Sequence, residues 1–181
     1  MYIINLILAV QKDSQTYNIK DIIMYKAAAI ATIASVAIAS KSDFPSFDSL
    51  HANCALSATF ADDCSTVFAN IESTVKSFSA GGPSKGLYAI KEEGSGDYVW
   101  TTRTTPVSKY VDDIIFEVVS GSNGGCTVNG KSKSESLSYY DYSTNYCNMW
   151  NVYNTVGGAS KLTPTECSWQ PDDATVTCAK Y

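Results

Sequence analysis

Residues 131–153 read KSKSESLSYYDYSTNYCNMWNVY, and the fold turns on how this stretch is parsed. Its first half alternates. Ser132, Ser134, Ser136 and Ser138 point one way on an extended chain, and Lys131, Lys133, Glu135, Leu137 and Tyr139 point the other. Its second half is rich in Tyr, Asn and Trp. Residues 141–144 read as a turn or helix cap. Beyond them Tyr146, Met149, Trp150 and Tyr153 fall on one helical face, and Gly157-Gly158 closes the helix. The Asn at 145, 148, 151 and 154 are poor helix formers. A strand, a tight polar turn and a short helix follow. The serine row has a structural reading: small side chains let a helix approach a sheet closely, and their hydroxyls bond nearby backbone.

Upstream, residues 110–119 predict a strand with apolar residues on both faces. Ile114, Phe116 and Val118 stand against Val111, Ile115 and Val119, as in a strand central to its sheet. Residues 87–91 and 98–104 read as a hairpin joined by the Gly-containing turn 92–97, and Pro106 ends its second strand. Residues 121–125 make the next turn, and 126–139 the fourth strand, bent at Gly130. Cys64, Val67, Phe68, Ile71, Val75 and Phe78 recur at steps of three and four. They predict a helix opened by Asp62-Asp63, closed by Gly81-Gly82-Pro83, and tied to the core through Cys64. Residues 40–53 read as an extended lead-in. The tail, 159–181, carries Trp169 and a short Thr-Val-Thr strand between Cys167 and Cys178. If those two pair, they close a loop of a dozen residues, a constraint of roughly 3 kcal/mol in the chain-entropy model. The order helix, strands, helix predicts α+β: an antiparallel sheet of about four strands with helices packed on one face.

The chain has 181 residues, enough for one domain with its own core. Hydrophobic residues are 45% and charged residues 17%, a globular balance. The net charge of -5 argues against nucleic acid as a partner. Met24-Tyr25-Lys26, the uncharged run 27–39 and its Ala37-Ile38-Ala39 end read as a secretory signal peptide at 24–39. Residues 1–23 do not fit that pattern. The expectation is that translation starts at Met24 and that 1–23 belong to an over-extended gene model. Cleavage after Ala39 leaves the lead-in 40–53 and a single domain, 54–181, with no membrane span. This portion carries ten Lys and Arg against sixteen Asp and Glu. It also holds all six cysteines: Cys54, Cys64, Cys126, Cys147, Cys167 and Cys178. An even set confined to the exported portion predicts three disulfides and no free thiol. Six cysteines allow 15 pairings, and the sequence does not choose among them. No C-x-x-C pair points to a metal, no N-x-S/T acceptor is present, and no cofactor is expected.

One resemblance bears on the fold. Val111-Asp112-Asp113-Ile114-Ile115-Phe116-Glu117, then Ser132, Ser134 and Ser138, then Asp141, then Asn145 follow an ordered pattern. It runs from an aspartate pair before an apolar strand, through a row of alternating small residues, to an Asp turn and an Asn that leads a helix. In this, residues 98–153 resemble an uncharacterised bacterial and plastid family, domain-of-unknown-function family 1499. The resemblance covers roughly a third of the chain, supports the α+β reading and implies no activity. The family pattern has Arg beside the serine row and after the Asn. This chain has Glu135 and Tyr146-Cys147-Asn148 there, so an anion site built on those Arg does not carry over.

The candidate site residues divide by chemistry. His51 is the chain's one His and sits in the lead-in, where a surface role is expected rather than a catalytic triad. Asp112-Asp113, Glu117 and Asp141 form the best carboxylate group. Glycoside hydrolysis needs two carboxyls about 5–10 Å apart on facing elements. Adjacent strand residues point to opposite faces, so one of Asp112 and Asp113, with Asp141, is the pair to consider; turn capping and bonds to Arg103, Lys109 or backbone are the structural alternative. Lys131, Lys133 and Glu135 beside the serine row read as the charged outer face of an edge strand. Among Tyr139, Tyr140, Tyr142, Tyr146, Trp150 and Tyr153, the helical residues are expected in the core. Tyr140 and Tyr142, flanking Asp141 in the turn, are expected at the surface, where rings can stack on sugars. Tyr140, Asp141 and Tyr142 are therefore the predicted contact face. The domain is expected to be secreted or lumenal and to act, without catalysis, as a binding or structural component, with a glycan or an extracellular protein as partner. The alternative is a carboxylate-dependent hydrolase acting on glycans.

Overall fold

A computed structural model describes residues 40–85, 87–94, 96–120 and 125–181. The expected signal peptide at 24–39 and the segment before it, and most of the turn expected at 121–125, lie outside the described residues.

Among the described residues six antiparallel strands form one sheet: β1 (Asn53–Phe60), β2 (Leu87–Glu93), β3 (Tyr98–Thr104), β4 (Val111–Ser120), β5 (Cys126–Ser134) and β6 (Ala159–Pro164). Their order is β2-β3-β4-β5-β1-β6, so the sheet has six strands rather than about four. The two additional strands are β1 and β6. β1 alternates cleanly, with Cys54, Leu56, Ala58 and Phe60 buried, and begins where the lead-in was expected to end. β6, with sequence ASKLTP, is an edge strand of weak apolar character and ends at Pro164, as suits an edge.

Helix α1 (Cys64–Ser79) buries the expected stripe of Val67, Phe68, Ile71, Val75 and Phe78. Its cap is Asp63, whose carboxylate accepts from the Thr66 backbone N–H at 3.0 Å and the Thr66 hydroxyl at 2.7 Å. Helix α2 (Thr144–Val156) buries Tyr146, Met149 and Tyr153, and leaves Trp150 half-buried. Both helices pack into one core with Leu56, Phe60, Val99, Ile114, Phe116 and Val128, all on one sheet face. The expected strand at Thr175-Val176-Thr177 is instead helix α3 (Ala174–Cys178). It is capped by Asp173, which accepts from Val176 N–H at 3.1 Å, a local bond that favours a helical turn over an extended one.

The opposite face has its own small cluster of Tyr98, Trp100 and Ile115. Phe44 from the lead-in packs on it, edge-on to Trp100 with ring centroids 5.5 Å apart. β4 is thus buried on both faces, as its apolar pattern requires.

β5 is internal, between β4 and β1, and it ends at Ser134 rather than running to residue 139. Its ladder runs in register through Gly130 on both sides, so the chain is not bent there. Gly130 is small for another reason. A Cβ there would lie 2.7 Å from the Tyr153 Oη and 2.8 Å from the Met149 Sδ, so α2 sits directly on this part of the strand.

The three disulfides join Cys54 to Cys167, Cys64 to Cys126 and Cys147 to Cys178, and no described cysteine is free. Cys167 and Cys178 are therefore not partners: β1 draws the first to the sheet and α2 draws the second to the helical layer. The bonds span 113, 62 and 31 residues, each worth roughly 4–5 kcal/mol in the chain-entropy model. Cys64–Cys126 ties the start of α1 to the start of β5, as expected of Cys64. Among the described residues no helix is long and apolar enough to cross a membrane.

Candidate functional site

The site is built where α2 meets β4 and β5. Asp112 and Ser134 are direct partners across the ladder, as are Ile114 and Ser132, and all four side chains share the helix face. Asn145 and Asn148, one turn apart on α2, lie over them. Ser132 donates to Asn145 Oδ1 at 2.7 Å, and Ser134 donates to Asp112 Oδ1 at 2.8 Å. Asn148 Nδ2 donates to Asp112 Oδ2 at 2.9 Å and lies 3.1 Å from the Ser132 hydroxyl. The serine row does let the helix close on the sheet, but its buried hydroxyls bond side chains rather than backbone. Only Ser132 and Ser134 take part. Ser136 is exposed and Ser138 half-buried, beyond the end of the strand.

Asp141 joins this network from the turn. Its Oδ1 accepts from Ser143 N–H at 3.1 Å, and its Oδ2 from Asn145 N–H at 2.9 Å and Asn145 Nδ2 at 2.8 Å. It caps α2 from outside the first turn. It also holds Tyr142 and Ser143 in the left-handed region, at φ 54° and 68°. That region costs non-glycine residues roughly 1–2 kcal/mol each, so the turn persists because Asp141 fixes it.

This cap pushes the neighbouring rings outward. Tyr140 is 51% exposed and Tyr142 71%, while Asp141 between them is 8% exposed. The two rings meet edge to face at 4.6 Å. A groove of about 250 Å³ runs beside them, lined by Tyr110, Asp112, Ser134, Leu137, Asp141 and the two tyrosines. The structure therefore brings Tyr140, Asp141, Tyr142 and Asp112 to one concavity. Burial pushes the Asp112 carboxyl above the ordinary aspartate range, against the bonds from Asn148 and Ser134 and the positive charge of Arg103, which all favour ionisation. Arg103, fully buried, is paired with Asp112 in the strand register. Its Nη2 donates to the Tyr181 backbone oxygen at 3.3 Å, and its guanidinium faces the Tyr181 ring at 5.7 Å.

The other carboxylates lie elsewhere. Asp113 is on the opposite sheet face, accepting from Lys91 at 2.9 Å and from the Trp100 indole at 2.7 Å. Glu117 shares that face and approaches Lys131 at 3.8 Å and Lys41 at 3.9 Å. His51 bonds Asp48 through Nδ1 at 2.8 Å, away from this groove. Lys133 is not an outward edge charge: β5 is internal, and Lys133 is buried against Asp48 and the Ser46 carbonyl, at 2.6 Å each.

Sequence reasoning missed Asn145, Asn148 and Trp169. The asparagines carried a signal, an i, i+3 pair of amides facing an i, i+2 pair of hydroxyls, that helix propensity alone obscures. Trp169 carried none. The Cys54–Cys167 bond brings it to the turn, where its ring lies 4.1 Å from that of Tyr140 and its indole N–H donates to the Tyr139 carbonyl at 2.8 Å. No protein-family model matches this chain, and neither does any curated protein.

Proposed function

We propose that this is a secreted or secretory-lumenal, disulfide-stabilised domain that binds glycan through the groove beside Tyr140, Asp141 and Tyr142, without catalysis. The observation that supports this most directly is the pair of exposed rings beside a groove floored by buried, hydrogen-bonded polar groups. Exposed ring faces stack on the apolar faces of sugars, while the lining supplies polar partners for hydroxyls. The Asp141 carboxylate makes the groove a poor host for phosphate or other anions. Three disulfides suit an oxidising compartment. The test is binding of the oxidised protein to an array of neutral glycans. Tyr142→Ala should weaken binding while leaving the melting point within a few degrees. Retention of full binding by that variant would defeat the proposal.

One observation favours the hydrolase alternative: Asp112, held toward its protonated form, lines the same groove as Asp141. A general acid at that place would make Asp112→Asn lose hydrolysis of a bound glycan while keeping its affinity. A wild-type protein that releases no reducing sugar from any bound glycan rules this out.

A further inference from the structure

The turn that borders the groove has a second hollow on its other side. It measures about 290 Å³ and is lined by Asp48, His51, Ser138, Tyr139, Ser168 and Trp169. Ser138 lines both hollows. The rings that line the two hollows touch one another in a run. Tyr142 meets Tyr140 at 4.6 Å, Tyr140 meets Trp169 at 4.1 Å, and Trp169 meets Tyr139 at 6.3 Å. Tyr139 is 80% exposed. The aromatic surface is therefore continuous from one hollow to the other.

The second hollow has its own polar equipment, held rigidly. The Asp48 carboxylate is kept well below its ordinary range by hydrogen bonds from Lys133, then His51, then the Leu50 backbone. His51 gives its Nδ1 to Asp48, which leaves Nε2 as the ring nitrogen for a ligand. Lys133 is spent on Asp48 and the Ser46 carbonyl, so the hollow offers no free cation from that side chain. Acceptors, a hydroxyl at Ser168 and ring faces suit neutral hydroxyl groups and suit a charged anion poorly. Each hollow alone is smaller than the ~300–1,000 Å³ usual for a ligand site, whereas the two taken together fall within it.

We infer that the two hollows are successive subsites for one neutral oligosaccharide chain that crosses the Ser138–Tyr140 ridge, with Trp169 as the platform at the crossing. This rests on the glycan reading of the first groove and adds the length of the ligand and a second set of contacts. Trp169, two residues from Cys167, is positioned by the Cys54–Cys167 bond, so the second subsite depends on that disulfide.

The experiment titrates the oxidised full chain with neutral gluco- and manno-oligosaccharides of one to six units, read by calorimetry and by tryptophan fluorescence. Affinity should rise at least tenfold between the shortest chains that bind and those long enough to fill both hollows, then level off. His51→Ala should abolish most of that gain while leaving short-chain affinity within twofold, Trp169→Ala should abolish the gain and also weaken short chains through its contact with Tyr140, and Tyr142→Ala should weaken every length. His51 is outside the ring cluster, so it serves even if Trp169→Ala loosens the turn. Equal affinity for short and long chains, or loss at all lengths with His51→Ala, overturns the two-subsite inference and leaves the first groove standing. No binding to any chain of either series, at any length, overturns both readings.

Discussion

Ser134 donates its hydroxyl to Asp112 across β5 and β4 at 2.8 Å, and this bond holds a carboxyl beneath a helix, lining the groove but only 3% exposed. Burial favours the protonated acid there. In the unfolded chain the same residue ionises near pH ~4. Between that value and its raised native value the unfolded state has lost a proton that the native state keeps, so stability falls as pH rises. Below the unfolded value the contribution is fully present. Asn at 112 cannot titrate. The stability of Asp112→Asn relative to wild type should therefore be flat below pH ~3 and shift in the variant's favour above pH ~4. Glu135 is pushed upward too, first by desolvation and then by Asp113, but it is present in both proteins and largely cancels. Urea denaturation at a series of pH values measures the difference, and a constant difference would show that the native carboxyl titrates as it does in the unfolded chain and is not raised.

The contact of α2 with the sheet predicts two costs of opposite kind. Phe116 is fully buried on β4 and packs edge-on to Tyr153 at 5.4 Å, so Phe116→Ala should cost ~3–5 kcal/mol through the cavity it leaves. Gly130→Ala adds only a methyl group, yet meets Tyr153, Met149 and the Leu56 carbonyl. Overpacking of this kind costs ~1–3 kcal/mol. Thermal unfolding of both variants decides it. If Gly130→Ala melts with wild type, α2 sits further from β5 than described.

Much of this fold was legible in the sequence, and the part that was not has physical causes. The 3.6-residue stripe of α1, the two-sided burial of β4 and the core face of α2 were plain from periodicity. β1 is harder to read: its alternation of Cys54, Leu56, Ala58 and Phe60 is short and sits between a Ser- and Pro-containing lead-in and the helix start at Asp62-Asp63. β6 has too few apolar residues to signal a strand and exists because β1 offers it an edge. The β-branched run at 175–177 favoured a strand, and the Asp173 cap overrode it. At the site, Tyr140, Asp141 and Tyr142 were legible because a polar turn must face water. Asp112 was named but left without a position, since its burial depends on Asn148 and Ser134 meeting above it. Trp169 depends on a disulfide, and pairing is not written in spacing.

Disulfide connectivity is itself a prediction. The oxidised protein, unfolded without reductant, should show no reactive thiol. Proteolysis and mass spectrometry should recover Cys54–Cys167, Cys64–Cys126 and Cys147–Cys178 as linked peptides. Replacing both cysteines of one bond by Ser should cost ~2–5 kcal/mol. For Cys54 and Cys167 a second effect should appear: Trp169 fluorescence should move toward that of a solvated indole, because its backbone loses the tether to β1. Recovery of a Cys167–Cys178 peptide would refute the arrangement of the tail.

The last prediction concerns Asp141, where the bonds change what a conservative substitution tests. Asn and Asp are near equals at an ordinary helix cap, so Asp141→Asn would be expected to leave stability unmoved. The carboxylate here uses both oxygens, one facing Ser143 N–H and the other facing two donors from Asn145. Asn has a single oxygen, so one of those sides meets an amide N–H instead, and a buried donor is left opposite another donor. That mismatch costs ~1–3 kcal/mol. It falls on a turn in which Tyr142 and Ser143 already sit in the left-handed region, and the turn is the part that should give way. Asp141→Asn is therefore expected to lower the melting point and to weaken ligand binding together, by loosening the ring pair. Tyr142→Ala should weaken binding alone, since Ala at φ 54° is no more strained than Tyr and the cap is untouched. The two variants separate a framework residue from a contact residue. An Asp141→Asn protein with wild-type stability and reduced binding would mean that the carboxylate touches the ligand directly and that its bonds to α2 are expendable.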